Sequence, residues 1–436
     1  SGLNVIGYEP GFRRFGGRSA GRLRRAAALA GRAEAALVFL GLDEGSEAEG
    51  IDRAHLRLPE NQIALLAAVR KACARVVVVL ASGAPVETGW AADADAVLLG
   101  YLGGQAGGGA VADLLTGKAA PSGKLAETYP LSYADVPSAG YYPGRELTAE
   151  HRESIFVGYR YYDTARKAVA WPFGFGLTYT SFAYGDLAVE GDEVRFTVRN
   201  TGARAGAEIA QVYVSKRGGA AFRAEQELKG FARVRLEAGE ERSVRVALDE
   251  HAFSCFNTAV NAWTEEAGEY EIRVCASSRD VRLSAVVNRR GSGAPAPYAA
   301  AGLPHYCRAD VASVPDAEFS ALLGRALPPS GFDRSKPLGY LDTIGQGAYK
   351  RGFARFLYGV VRLVRRACFL LGRPVAANNV MFAMHLPYRA LARMSGGAVD
   401  MAMLDGILTM ANGRFWRGLR QTLRARGQKR RRGKGE

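Results

Sequence analysis

Residues 59–81 read PENQIALLAAVRKACARVVVVLA, and this stretch decides the fold. Pro59 suits the first position of a helix, and Ile63, Leu66, Ala67 and Val69 recur along one helical stripe. Residues 75–81 (RVVVVLA) then follow with almost no connection. They are a continuous β-branched run without polar alternation, the pattern of a strand buried on both faces. On either side lie two more such runs, AALVFLGL (35–42) and AVLLGY (96–101). Small apolar residues and Arg alternate at helical spacing over 20–33, and the glycine-rich GGQAGGGA (103–110) opens an apolar helix reaching about Leu115. Strands alternating with helices over short connections predict a parallel-rich sheet covered by helices, an α/β sandwich.

Beyond Pro121 the texture changes. Residues 130–163 are rich in Tyr, Pro and Gly, as in an ordered irregular connection whose rings pack. After Tyr179 the apolar period becomes two: VRFTVRN (194–200), IAQVYV (209–214), FARVRL (231–236), SVRVAL (243–248), YEIRVC (270–275) and VRLSAVV (281–287). Six short strands separated by turn residues predict an antiparallel sandwich of immunoglobulin or fibronectin type. Residues 289–350 show little pattern and read as a linker, while 353–371 (FARFLYGVVRLVRRACFLL) read as an amphipathic helix studded with Arg. The domain reading is therefore 1–140 α/β, 141–184 connection, 185–288 β-sandwich, 289–350 linker and 351–436 a basic, partly helical extension that closes on KRRRGK (429–434).

Of the 436 residues, 48% are hydrophobic, which excludes a wholly disordered chain. Five Cys without a C-x-x-C pair exclude a disulfide scaffold and argue against a cysteine zinc site. The five His form no metal-spaced pair, there is no G-x-S-x-G elbow, and no apolar run is long enough to cross a membrane. The net charge of +15 is unevenly placed. Residues 351–436 hold 18 Lys/Arg against three acids, whereas 1–350 hold 40 of each sign. The high pI belongs to the extension, so it is no argument for nucleic-acid binding by the body. The odd number of cysteines, three of them in or near strands, favours a reducing, cytoplasmic setting.

Chemistry is predicted in the loop after the first strand, GLDEGSEAEGIDR (41–53), which crowds Asp43, Glu44, Glu47, Glu49 and Asp52 between glycines. Ligands of open parallel sheets bind beyond the carboxyl ends of strands, and neighbouring carboxylates raise one another's pKa, as a general acid requires. Residue types alone leave a solvated acidic loop open. GGQAGGGA lacks both the G-x-G-x-x-G and the P-loop patterns and reads as a tight strand–helix turn.

The motifs SEAEGIDR (46–53), LPENQIALLAAV (58–69), VVVVLASGAPVE (76–87), GYLGGQAGGGAVADLLTGKAAPSGKLAETYP (100–130), FVGYRYYD (156–163) and WPFGFGLTYTSFAY (171–184) follow one another in an order that resembles family-3 glycoside hydrolases. Residues 185–288 are similar to that family's fibronectin type III-like domain. The resemblance implies a retaining β-glycosidase of β-glucosidase kind, acting on a β-glucoside or oligosaccharide without a cofactor or metal. A (β/α)8 barrel carries the nucleophilic Asp in that family, and the α/β sandwich supplies an acid/base Glu from an S-x-E-G-x-D-R type loop. Glu49 takes that place here, with Glu47 and Glu44 as fallbacks, and Asp52 and Arg53 shaping the loop. No eightfold β/α pattern occurs, and Ser1 opens on what reads as mid-domain sequence. The barrel is thus expected upstream, as a partner domain missing from this chain, and the chain alone is expected to be inactive. The rival reading is a non-catalytic carbohydrate-binding or scaffold protein built from the same modules. The basic extension lies outside the family's core pattern. Its expected partner is an anionic membrane surface, with nucleic acid as the competing reading.

Overall fold

The computed structural model of the chain describes residues 4–432 apart from 16, 51 and 397. Ile51 and the last residues of the KRRRGK run therefore lie outside the described residues, as do Ser1 and its two neighbours. Helix α1 (Ala20–Ala30) leads into β1 (Ala36–Gly41), α2 (Glu60–Ala72), β2 (Val76–Ala81), β3 (Ala96–Leu99) and α3 (Gly107–Leu115). The three strands pair in the order β1-β2-β3, all parallel, with Ala36 opposite Val76 and Val77 opposite Ala96. Val38, Leu40, Val76, Val78 and Leu80 close over Leu65, Leu66 and Val69 of α2, as the apolar runs require. The third strand stops at Leu99, two residues short of the predicted run, because Tyr101 takes a positive φ of 46° and leaves the extended region.

The connection that follows is ordered. Strand β4 (Tyr129–Pro130) and helix α4 (Tyr159–Thr164) precede β5 (Val169–Trp171), and β5 pairs back on β4. Tyr129 is fully buried, its ring centroid 5.2 Å from that of Trp171. The sandwich comprises β6 (Phe182–Glu190), β7 (Glu193–Asn200), β8 (Gly206–Lys216), β9 (Glu227–Leu236), β10 (Glu241–Ala247), the hairpin β11 (Ser254–Asn257) and β12 (Ala262–Glu265), β13 (Gly268–Ser277) and β14 (Asp280–Arg289). One sheet is ordered β10-β7-β6 and the other β14-β13-β8-β9, all antiparallel, enclosing Phe196, Val212, Leu236, Tyr270 and Ile272. The sandwich begins at Phe182 rather than 185. A bulge between Gly185 and Ala188, with Asp186 at φ 50°, breaks the period in β6 and hides it from pattern reading.

Gln211 of β8 locks the sandwich to the connection: its amide donates to the carbonyls of Gly174 and Ala276, both at 3.0 Å, and accepts from the Tyr213 hydroxyl at 2.7 Å. Gly174 must be glycine, since its φ is 76° and a Cβ there would fall 2.0 Å from the Gln211 side chain.

Residues 289–350, read from sequence as a linker, are more than a tether. Helices α5 (Pro304–Cys307) and α6 (Asp316–Leu323) bury Tyr306, Val311, Val314 and Phe319 against Phe156, Tyr161 and Tyr162 of the connection. Buried Arg152 fastens the two, donating to the Val314 carbonyl at 2.8 Å and pairing with Asp316 at 2.6 Å. These apolar residues pack through non-regular backbone, so no helical or strand period announces them. The extension folds into α7 (Phe353–Leu370), α8 (Pro374–His385), α9 (Tyr388–Met394), α10 (Met401–Ala411) and α11 (Phe415–Arg432). Its core joins Leu338, Ala354, Tyr388, Leu404 and Leu408. Helices α10 and α11 cross at Gly406 and Gly418, where a Cβ on Gly418 would meet the Gly406 carbonyl at 2.4 Å.

Candidate functional site

Parallel pairing puts the carboxyl ends of β1, β2 and β3 side by side, with Gly41 opposite Ala81 and Leu80 opposite Leu99. The segments that follow all three strands therefore open on one edge of the sheet. The loop after β1 is held at its root by buried Gln62 of α2. That side chain accepts from the Gly41 amide at 2.9 Å and donates to the Gly41 carbonyl at 2.8 Å, standing in for a strand neighbour. Asp43 then turns the chain, its carboxylate accepting from the amides of Gly45 (3.0 Å) and Ser46 (2.9 Å) and from the Ser46 hydroxyl (2.9 Å).

The structure separates the crowded carboxylates into different duties. Glu44 pairs with Arg14. Glu47 turns inward and accepts the Gly83 amide, from the segment after β2, at 3.0 Å. Asp52 accepts the Tyr142 hydroxyl at 2.6 Å, which ties the loop to the Tyr-rich connection. Glu49 is exposed and, among the described residues, makes no hydrogen bond or ion pair. It precedes Gly50, whose φ of 79° turns the chain sharply after it.

Beside the loop, Arg53 lies in the field of a carboxyl that the sequence did not single out, Glu127. Arg53 donates to the Pro85 carbonyl at 3.1 Å, and its Nη2 is buried without a partner among the described residues. Burial lowers its pKa while the charges of Glu47, Glu127 and Glu87 push back. Glu127 is raised to about 7, chiefly by burial and then by the charge of Glu47, with Arg53 opposing. Glu127 falls inside the quoted motif GKLAETYP, but its nearness to Glu47 and Arg53 arises only in the folded chain. GGQAGGGA spans the turn after β3 and the first residues of α3 on the same sheet edge, and among the described residues no His/Cys/Asp/Glu group is arranged to hold a metal.

The extension reaches this site. Asn378 of α8, largely buried, donates its side-chain amide to the Glu44 carbonyl. A Cβ on Gly45 would lie 3.7 Å from the Phe369 ring of α7, and one on Gly50 3.7 Å from the Phe382 ring of α8. A groove lined by Arg14, Phe15, Glu44, Arg373, Pro374 and Asn379 runs between loop and extension.

Residues 16–179 match the glycosyl hydrolase family 3 C-terminal domain, and 208–278 match a fibronectin type III-like domain. The chain is 44% identical over 269 residues to thermostable beta-glucosidase B of Acetivibrio thermocellus, which covers 60% of this chain and 36% of that protein. It is also 44% identical over 267 residues to an exo-alpha-(1->6)-L-arabinopyranosidase of Bifidobacterium breve, covering 60% of this chain and 35% of the relative. Among solved structures, a family-3 beta-glucosidase of Bifidobacterium adolescentis superposes with a TM-score of 0.64 at 44% identity, over 65% of this chain and 43% of that one. The Kluyveromyces marxianus beta-glucosidase in complex with glucose superposes with a TM-score of 0.60 at 38% identity, over 62% of this chain and 34% of that one. The chain spans about a third of the length of the curated relatives it matches. By sequence and by fold, it carries the C-terminal domain of glycosyl hydrolase family 3, followed by a fibronectin type III-like domain.

Proposed function

We propose that this chain supplies the acid/base half of a retaining β-glycosidase acting on terminal β-glucoside-like sugars, with the nucleophilic Asp on a barrel domain outside these residues. The observation that carries the assignment of Glu49 is its freedom: Asp43, Glu44, Glu47 and Asp52 are each engaged, and Glu49 alone of the loop carboxylates is exposed and unpartnered among the described residues. A general acid must meet the glycosidic oxygen, so it must be the carboxyl that nothing in its own domain has claimed.

In this reading Asp attacks the anomeric carbon while Glu49 protonates the departing oxygen. The Glu49 carboxylate then takes a proton from the water that releases the sugar. Retention places the two carboxyls roughly 5–5.5 Å apart, which suits a residue presented outward on a loop beside a glycine. Glu47 positions that loop through Gly83, and Asp52 and Arg53 position it through Tyr142 and Pro85. The sugar and its linkage are set by the barrel. The relatives' own range, from beta-glucosidase to arabinopyranosidase, fits a sugar site that differs from one relative to another.

The test joins this chain to a family barrel. Glu49→Ala should cripple substrates with poor leaving groups and spare good ones, and added azide should restore turnover as a glycosyl azide of retained configuration. Glu47→Ala should weaken turnover by loosening the loop, without azide rescue. Rescue of Glu47→Ala but not of Glu49→Ala would move the acid/base two residues upstream. The 436-residue chain alone should not turn over aryl β-glucosides.

A further inference from the structure

Helix α7 packs on α8 and the body along one face, burying Ala354. The opposite side is not polar. Phe356, Val360, Leu363, Val364, Leu370 and Leu371 recur at intervals that place them on a single stripe, and all six are exposed, Phe356 by 65%, Leu363 by 67% and Leu370 by 80%. Arg355, Arg362 and Arg366 are also exposed and form a parallel row along one edge of the stripe. At its start, the Phe353 and Phe415 rings lie 5.3 Å apart, which brings Trp416 of α11, 71% exposed, beside the stripe. Among the described residues no helix is long and apolar enough to cross a membrane.

We propose that this face of the extension docks on an anionic phospholipid bilayer, with α7 lying in the plane of the interface. An apolar stripe edged by cations on one helix side is the arrangement that sinks to the headgroup–acyl boundary while guanidinium groups meet lipid phosphates. Trp416 is placed where an amphipathic ring anchors at that depth. Charge selects the occupant. Residues 351–436 carry 18 Lys/Arg against three acids, so a second copy would bring like charge against like, whereas an anionic surface is complementary. The inference stands independently of the glycosidase reading, since no residue of the acidic loop enters it.

Co-sedimentation of the full 436-residue chain tests it, with phosphatidylcholine vesicles and with equal mixtures of phosphatidylcholine and phosphatidylserine. The chain should sediment with the mixed vesicles, be released by salt, and ignore phosphatidylcholine alone. Combined Phe356→Ser, Leu363→Ser and Leu370→Ser should weaken binding tenfold or more. Combined Arg355→Gln, Arg362→Gln and Arg366→Gln should weaken it by about a hundredfold, at about 1 kcal/mol per basic residue. All six side chains are exposed, so near-ultraviolet circular dichroism of both variants should match the parent. Undiminished sedimentation of the triple-Ser variant would assign binding to diffuse charge and overturn the stripe. Absence of binding to mixed vesicles would overturn the proposal. So would a solution dimer that the triple-Ser change dissolves, since a second copy would then cover the face.

Discussion

Glu127→Gln isolates the carboxyl beside Glu47 and Arg53. The Glu127 carboxyl is held at about 7 instead of its ordinary 4.5, because burial disfavours its charge and Glu47 adds like charge, with Arg53 only partly compensating. A carboxyl so raised binds its proton more tightly in the folded chain than in the unfolded one. Its contribution to stability is therefore full below about pH 4.5 and is lost as the pH climbs to about 7. At about 1.4 kcal/mol per pH unit the span has a ceiling of about 3.5 kcal/mol, and partial exposure to solvent reduces this to about 1 kcal/mol. Glutamine keeps the shape without the charge, and Arg53 retains Glu47 and Glu87 as neighbours. Parent and variant should be equally stable near pH 5, and the variant should be more stable by about 1 kcal/mol at pH 8. Urea melts followed by Trp fluorescence report this domain, because Trp90 and Trp171 both belong to its core while Trp263 and Trp416 are exposed. Parallel stability curves from pH 5 to 8 would refute the raised carboxyl. A variant less stable at every pH would instead make Glu127 the indispensable partner of Arg53.

Two further changes probe the supports of the loop. Gln62→Ala removes both hydrogen bonds that bracket Gly41 and leaves two backbone groups unpaired, so it should cost about 2–3 kcal/mol in the same urea melt. Asn378→Ala cuts the tie between α8 and the Glu44 carbonyl, and amide hydrogen exchange over residues 43–50 should quicken severalfold while β1 and β2 keep their protection. Unchanged exchange over the loop would show that Phe369 and Phe382 hold it without Asn378.

Local pattern was enough to place the parallel strands and six strands of the sandwich. The continuous Val/Leu run of β2 is stable only between two apolar layers, and the alternation in VRFTVRN only between a core and solvent. The acidic loop after β1 was likewise visible in the sequence, whereas Glu49 within it was an expectation that came from the family resemblance, with Glu47 and Glu44 as fallbacks. Pattern reading failed where backbone geometry interrupts the period, as at the bulge in β6. It failed too where apolar residues pack from irregular chain, as Tyr306 and Val311 do against Phe156. Which loop carboxylate is free could not be read from order along the chain, since the partners that occupy Glu44, Glu47 and Asp52, namely Arg14, Gly83 and Tyr142, lie about 30 to 90 residues away. Nor could the elevation of Glu127, which arises from burial and then from the charge of Glu47, or the seating of α8 on the loop. Periodicity is a property of neighbours along the chain and survives in the sequence. Burial, charge proximity and the choice of hydrogen-bond partner are properties of neighbours in space, and for this protein only the tertiary structure decided them.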